Sequence, residues 1–594
     1  MGGTERHVPW RLTASFVTAT GRGPVLLAAI FAVVQATLPL AGLIALMRLI
    51  DAVANGLAGR ATTADAMASA TWATLGAAGV ALLGSVLRSV AGLHSEHAGR
   101  RLADFHTNRV QQHAASLDLV AFDRPAFHDL LQRAGAEASQ RPVRLLQDAL
   151  AVLAAMCSLG LMAALLWYVE PWLPLLVAAA AAPLAWVRRR HADRRYRWQL
   201  ASVHDQRDIG YLGAVLTGRA SAKDVRLLAL LPPFGERLAS LRTNLRQTLH
   251  RLAGRGAREE LVVQTLASAG LFVAYWVLAR DALAGELTLG TLVLQAQAAQ
   301  RAQNGVRDLL SAIAGVREHR LFLRPLVEFL GLRPELVAAP PPGLLRTGAL
   351  AVCLEQVTFH YPECPQPALH ELSCTIAAGE RVAIVGHNGS GKSTLLKLLA
   401  RLYDPSQGVV SAHGVPLTHL EPGGYRARLA VLLQDGALYE LSVRDNLLLG
   451  CLQRPSDEGL WRALECVGLA DVVRALPGGL DTVCSRRHAA GVEWSAGQAR
   501  RLLLARTLAQ PTELMLLDEP FAMLDRDGCA RLAAALAALD RTRTLVLVEH
   551  RAEALAYVDR VLVLAAGRLV GDGAVAELAA RSAPFRSLFP QLAR

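Results

Sequence analysis

Lysine is almost missing from this chain. Of 594 residues, 62 are Lys or Arg, yet only Lys223, Lys392 and Lys397 are lysines. Charged residues of both signs amount to 19% and aromatics to 5%, where average soluble chains carry roughly 25% charge. The eight cysteines (Cys157, Cys353, Cys364, Cys374, Cys451, Cys466, Cys484 and Cys529) form no CxxC pair. That excludes a zinc ribbon or a disulfide framework and points to a reducing compartment, with the thiols as small apolar fillers. Disorder and collagen are excluded by composition as well. What the chain has instead is apolar mass: 53% hydrophobic residues and a mean hydropathy of +0.29. A chain this long suggests about four soluble domains on length alone. A membrane protein explains the apolar excess better.

The first apolar run, Pro24 to Ile50, exceeds the ~20 residues that span a bilayer and the 7–15 of a signal-peptide core. Further runs are expected to span at about Met67–Leu93, Arg144–Trp167, Trp172–Val187, Leu261–Leu283 and Leu289–Val316. That makes six, the second and sixth being the weakest by hydropathy. Three connections are short and two are long, about His94–Val143 and Arg188–Glu260. The long ones are helical in pattern but too polar for lipid, so spanning helices are expected to continue into the cytoplasm.

Charge sets the expected orientation. Arg188 to Ala257 is strongly basic, and the N-terminal tail carries Arg6, Arg11 and Arg22. Cytoplasmic loops concentrate Lys and Arg, so the N-terminus and both long loops are placed inside. Trp167, Tyr168 and Trp172 then cluster at the outer interface. The formal charge of +12 thus reports orientation, and no nucleic-acid partner is needed to account for it.

Pro340-Pro341-Pro342 interrupts the helical pattern within 332–348, a linker between an expected membrane domain (1–331) and an expected soluble domain (349–594). Past Ala349, short β-like runs such as Ala351–Phe359 and Arg381–Val385 alternate with helices such as Lys392–Leu402. That alternation predicts a parallel α/β sheet.

The chemistry lies there. Gly386-His387-Asn388-Gly389-Ser390-Gly391-Lys392-Ser393-Thr394 fits GxxxxGK[ST] between a predicted strand and helix. Glycines let backbone N–H groups close around phosphate, and the helix N-terminus adds positive potential. Lys392 is expected on the β/γ phosphates and Ser393 on Mg²⁺. In an arginine-based chain, a lysine here marks a place for a compact point charge. Glu513 to Leu517 is apolar after its first residue and ends in Asp518-Glu519. Asp518 is expected to hold Mg²⁺ through water, and Glu519 to polarise the attacking water. A later run, Thr544–Val548, ends in Glu549-His550, and His550 is a candidate γ-phosphate sensor.

Taken together, these residues resemble the ATP-binding cassette (ABC) exporters, over essentially the whole chain. Trp494-Ser495-Ala496-Gly497-Gln498 stands where that family has its LSGGQ signature. Gln434 resembles the Q-loop glutamine, Tyr361 the aromatic that stacks on adenine, Leu524-Asp525 the end of the D-loop, and His550 the H-loop histidine. Gly285–Gly290 looks like the turn into the last membrane helix. The resemblance implies an all-α six-helix transmembrane domain followed by an α/β P-loop NTPase domain, in the cytoplasmic (inner) membrane of a bacterial-type cell, with the ATPase domain in the cytoplasm. It implies ATP and Mg²⁺ as cofactors. Gln434 would join Ser393 and Asp518 at the metal, and Glu519, His550 and Gln434 would serve hydrolysis. Ser495, Gly497 and Gln498 would cap the nucleotide held by a second chain. One ATPase domain per chain implies a dimer. Coupling segments are expected at Phe122–Leu131 and Ala220–Leu228.

Two departures stand out. Ala496 replaces the first signature glycine, and Phe521-Ala522-Met523 stands where the family usually has Thr-Ser-Ala. A heterodimer would suit a weakened signature; a homodimer tolerating the alanine is the simpler expectation. The last membrane helix carries Gln295, Gln297, Gln300, Arg301, Gln303, Asn304, Arg307 and Asp308. Gln297, Arg301, Asn304 and Asp308 recur at helical spacing, either lining a pathway for polar or amphipathic cargo or lying solvated beyond the membrane. The stretch Phe122–Ala134 loosely resembles exporters of ribosomally made peptides. Only about 23 residues precede the first span, so no leader-cleaving peptidase is expected and a peptide cargo would arrive matured. A lipid or drug exporter, or an ABC protein that binds ATP without pumping, are the other readings.

Overall fold

The computed structural model describes residues 21–592 apart from Ala220, Pro342, Ala489, Ala490 and Met523. Arg6 and Arg11 of the orientation argument, Ala220 of the second coupling segment and Met523 before the D-loop lie outside the described residues. The chain forms two compact units. One comprises residues 1–115 and 129–332, and the other residues 116–128 and 333–594. The short segment Ser116–His128 therefore belongs with the second half of the chain, although it lies inside the expected membrane domain.

The first unit is helical: α1 (Arg22–Leu57), α2 (Thr63–Ser116), α3 (Pro125–Ala138), α4 (Arg141–Val169), α5 (Leu173–Ala201), α6 (Val203–Thr217), α7 (Leu231–Leu283) and α8 (Leu289–Phe322). At 1.5 Å per residue, the 54 residues of α2 make a rod of about 80 Å, over twice the ~30 Å of bilayer hydrocarbon. Two of the expected spans are thus the apolar parts of much longer helices, the N-terminal part of α2 and the C-terminal part of α7. Among the described residues, four helices (α1, α2, α4 and α7) are long and apolar enough to cross a membrane. Helices α5 and α8 do not reach that mark. In α5 the apolar start is diluted by Arg188, Arg189, Arg190, Arg194 and Arg195; in α8 by glutamines and arginines. The second span, expected to be weak, is in fact sufficient, and the fourth is the one that falls short with the sixth.

The core of this unit gathers Leu43, Met162, Leu166, Leu173, Val177, Ala274, Leu278, Leu294, Ala298, Ala299 and Ala302. Small residues along α8 let backbones approach closely. Gln295 is fully buried there, its Nε2 donating to the Leu165 carbonyl at 3.3 Å. Charge is paired beside the core. Arg141 meets Glu137 at 2.6 Å, His319 lies 3.3 Å from Asp148, Arg188 meets Glu260 at 2.5 Å, and Arg194 meets Glu259 at 3.0 Å.

The second unit carries two sheets. A four-stranded antiparallel sheet runs β2 (Leu369–Ile376), β1 (Val352–Phe359), β4 (Gln407–Ala412), β5 (Val415–Pro416). A six-stranded sheet runs β10 (Arg568–Gly573), β9 (Arg560–Ala565), β3 (Arg381–Gly386), β8 (Thr544–Val548), β7 (Leu514–Asp518), β6 (Leu429–Leu432). It is parallel except for the β9–β10 hairpin. The first β run was expected in the parallel sheet and lies instead in the antiparallel one. The connection from β1 to β2, residues 360–368, suits a hairpin, whereas a parallel pair needs a crossover of a dozen residues or more. Strands β3, β7 and β8 are almost wholly buried, as parallel strands covered on both faces are. Their C-terminal ends come together, and the motifs sit at those ends.

Candidate nucleotide site

The P-loop leaves β3 and enters α9 (Lys392–Leu399). Gly391 has φ 100°, and a Cβ there would lie 2.7 Å from Leu369 Cδ2 and 2.8 Å from the Ala368 carbonyl. Only glycine fits that turn. His387, Asn388 and Gly389 form an exposed rim. Ser390 is 4% exposed, and its hydroxyl has no protein partner. Lys392 is 7% exposed. Its Nζ donates to the carbonyls of Gly386 and His387, both at 2.9 Å. Burial pulls its pKa down, against the pull of Glu519 and Asp518 in the other direction. The ammonium is thus held at the loop with hydrogen-bonding capacity to spare.

Asp518 closes β7, 2% exposed. Burial raises its pKa, while a hydrogen bond from Ser393 opposes the shift. Its Oδ2 has no protein partner. Glu519 follows in the left-handed region at φ 51°, an uncommon conformation for a residue with a side chain. Its N–H donates to the Val548 carbonyl at 2.9 Å, which anchors the turn to β8. Its carboxylate lies 3.3 Å from His550 Nε2. Ser393, Asp518, Glu519 and His550 are therefore brought together as the motif order suggests.

Tyr361 donates to or accepts from Thr394 Oγ1 at 3.1 Å, and Lys397 Nζ lies 5.6 Å from its ring centre. Tyr361 also meets the edges of Phe359 and Tyr403 at 5.0 and 5.6 Å. The Tyr403 hydroxyl in turn donates to Asp123 at 2.5 Å, and Arg124 pairs with Glu335 at 2.8 Å. Asp118 Oδ2 accepts from the N–H groups of Glu335 and Leu336 at 2.6 and 2.9 Å. Ser116–His128 is thereby fastened to the unit that carries the P-loop. This includes Phe122 and the start of the first expected coupling segment.

The signature lies at the start of α10 (Ala496–Ala509). Ser495 is its N-cap: its Oγ accepts from Gln498 N–H at 3.2 Å, and Gln498 Oε1 accepts from Ser495 N–H at 3.1 Å. This reciprocal box satisfies two donors at the helix start. Ser495 and Ala496 are exposed, Gly497 half-buried. Each of the two polar signature side chains accepts from the other residue's backbone N–H. Gln434, exposed after β6, contributes its backbone carbonyl to Arg500 at 2.7 Å.

Three structural residues were not singled out from sequence. Glu549, 3% exposed, accepts from the N–H groups of Phe521 and His550, each at 3.0 Å; burial raises its pKa. It ties the loop after Glu519 to His550. Its position between an apolar strand and the histidine was its only signal. Tyr403 and Arg500 carried none, since each contact depends on distant chain.

Strand-end carboxylates, a glycine-rich phosphate loop and a capped signature helix define a P-loop NTPase domain of the ABC kind. Residues 369–522 match the family model described as ABC transporter. The subtilin transport ATP-binding protein SpaT of Bacillus subtilis is 25% identical over 477 residues, 79% of this chain and 76% of that one. An ATP-dependent lipid A-core flippase of Nitrosococcus oceani is 29% identical over 58% of this chain and 57% of its own. The ABC-type transmembrane transporter verA of Clonostachys rogersoniana is 37% identical over 40% of this chain, which spans 19% of that relative. A bacterial Atm1-family ABC exporter solved with ATP bound shares the fold, with a TM-score of 0.78 at 21% identity over 96% of this chain and 98% of that one. Residues 369–522 thus form an ABC transporter domain, and the chain has the layout of an exporter-type half-transporter: a helical unit with helices long enough to cross a membrane, followed by an ATPase domain.

Proposed function

We propose that this chain is half of an ATP-driven exporter in a bacterial-type cytoplasmic membrane, with its ATPase unit in the cytoplasm and six spanning helices. The observation that carries the reading is the buried Asp518 carboxylate, its Oδ2 without a protein partner, beside the Glu519–His550 contact at 3.3 Å. In this reading Lys392 and the N–H groups of 386–394 hold the ATP phosphates, and Tyr361 stacks on the base. The orphaned Oδ2 of Asp518 and the adjacent Ser393 hydroxyl fit a Mg²⁺ ion, with Gln434 as a third ligand. Among the described residues no set of three His, Cys, Asp or Glu side chains forms a metal cluster, so nucleotide oxygens and water would complete the shell. Mg²⁺ would supply charge neutralisation at the β/γ oxygens. Glu519 orients and polarises the attacking water, and His550 senses the γ-phosphate.

The exposed N-terminus of α10 supports dimerisation: Ser495, Gly497 and Gln498 would cap a nucleotide on a second copy. A homodimer is the simpler assembly, a heterodimer the alternative given Ala496. Closure on ATP would turn a cavity outward, and hydrolysis would reset it. The cargo we favour is a peptide-like or small amphipathic compound. Gln297, Arg301, Asn304 and Asp308 are exposed along α8 while Leu294, Ala298 and Ala302 on the same helix are buried, and a polar stripe is costly against lipid. SpaT, named for subtilin transport, fits that cargo class; the flippase relative keeps a lipid open as the second.

The deciding experiment is ATP hydrolysis by the purified protein in lipid, wild type against Glu519→Gln. We expect hydrolysis to fall at least about 100-fold in the variant with ATP binding retained. Equal rates in the two proteins would end the pump assignment.

A further inference from the structure

Arg500 joins three elements through one guanidinium. It projects from α10, a little over one turn past the signature N-cap. Its NH1 donates to the carbonyls of Leu433 and Gln434 at 2.6 and 2.7 Å, and its NH2 to the carbonyl of Asp518 at 2.7 Å. The acceptors lie just beyond or at the ends of β6 and β7. These strands pair in parallel up to Leu432 and Leu517. Beyond that point the ladder no longer sets their spacing, and there the groups expected to hold the metal and the water begin: Gln434 on one side, Asp518 and Glu519 on the other.

We propose that Arg500 is a positioning residue for hydrolysis. It sets the separation of Gln434 from Asp518–Glu519 and couples that separation to the placement of the signature helix. The proposal rests on the ATPase reading above. Its physical basis is the planar fork: N–H donors in fixed geometry reach the carbonyls just past β6 and at the end of β7 at once, and a lysine's single nitrogen cannot span them with the same rigidity. Arg500 touches no phosphate in this scheme. Its loss should spare nucleotide binding and disturb the groups that act on the metal and the water.

The test compares full-length wild type, Arg500→Lys and Arg500→Gln in lipid. Three readouts are taken: kcat and KM for ATP, the Mg²⁺ concentration that half-saturates binding of a fluorescent ATP analogue, and the melting temperature. The expected result is a kcat at least about 10-fold lower in both variants, with KM within about threefold of wild type. The Mg²⁺ requirement should rise about fivefold or more, and melting should shift little in the lysine variant. Unchanged kcat and Mg²⁺ requirement in both variants would overturn the proposal. So would a proportional loss of melting temperature and nucleotide binding, which marks a merely structural arginine. If wild type hydrolyses no ATP, the ATPase reading fails separately, and the Mg²⁺ dependence of analogue binding still decides the role of Arg500.

Discussion

Buried charge is treated in opposite ways in the helical unit and at the candidate nucleotide site, although elsewhere the second unit also pairs buried charge, as Arg401 with Asp404. In the helical unit it is closed off by other side chains: Arg141 has Glu137 and Glu318, Arg188 has Glu260, and Asp281, 6% exposed, has its neighbour Arg280. In the ATPase unit, Lys392 is satisfied only by backbone carbonyls, and Asp518 keeps a buried carboxylate oxygen with no protein partner. Isolated buried charge is costly, and proteins ordinarily pair it. A group left open against that cost marks where a ligand completes the structure. The contrast separates charge that holds helices together from charge that waits for a nucleotide.

The comparison can be broken most directly at Lys392. Lys392→Met should weaken ATP binding at least about 100-fold, as loss of a charge-assisted phosphate contact would, while the nucleotide-free protein melts close to wild type. Titration with a fluorescent ATP analogue checks the first part and thermal melting the second. A large loss of stability would place Lys392 among the structural charges. Arg141→Ala is the counterpart in the helical unit. It strands Glu137 and Glu318 and should cost about 2–3 kcal/mol of stability, below the full penalty for a buried pair because the site is partly exposed. ATP binding should stay unchanged in the same assay.

The smallest effect sharpens the contrast by changing sign. Burial raises the Asp518 pKa, so the folded protein takes up its proton at higher pH than the unfolded chain. The ionised carboxylate therefore costs stability at neutral pH, and the cost fades as pH falls through the raised pKa. Asp518→Asn should raise the nucleotide-free melting temperature by roughly 2–4 °C at neutral pH. That gain should shrink on acidification, and ATP hydrolysis by the variant is expected to be lost. A destabilised Asn variant would mean that the carboxylate is structural.

Much of the ATPase site was legible because its chemistry demands particular residues at particular spacings. Gly391 must adopt φ 100° against Ala368, Lys392 must follow it, and acids must end a buried strand. Such constraints are local and print themselves on the sequence. The helical unit leaves a weaker imprint. A helix such as α2 runs from apolar to polar without a break, so no local signal marks where lipid would end. In α5 and α8, charged and amide side chains follow directly on the apolar start, and most of them are exposed, so hydropathy alone does not mark a span. Arg500, Tyr403 and Glu549 escaped notice for a different reason. Each acts by reaching backbone or side chains far along the chain, and pairing at that distance has no residue signature.

The bond from Tyr403 to Asp123 bears on how such chains can be recombined. A chimera that exchanges halves at the proline linker, as domain order invites, would separate the ATPase unit from residues 116–128 that pack within it. Modules inherited or engineered across that boundary would meet a foreign segment at the tyrosine. The unit of exchange is therefore discontinuous: the second half of the chain together with a short piece from deep inside the first.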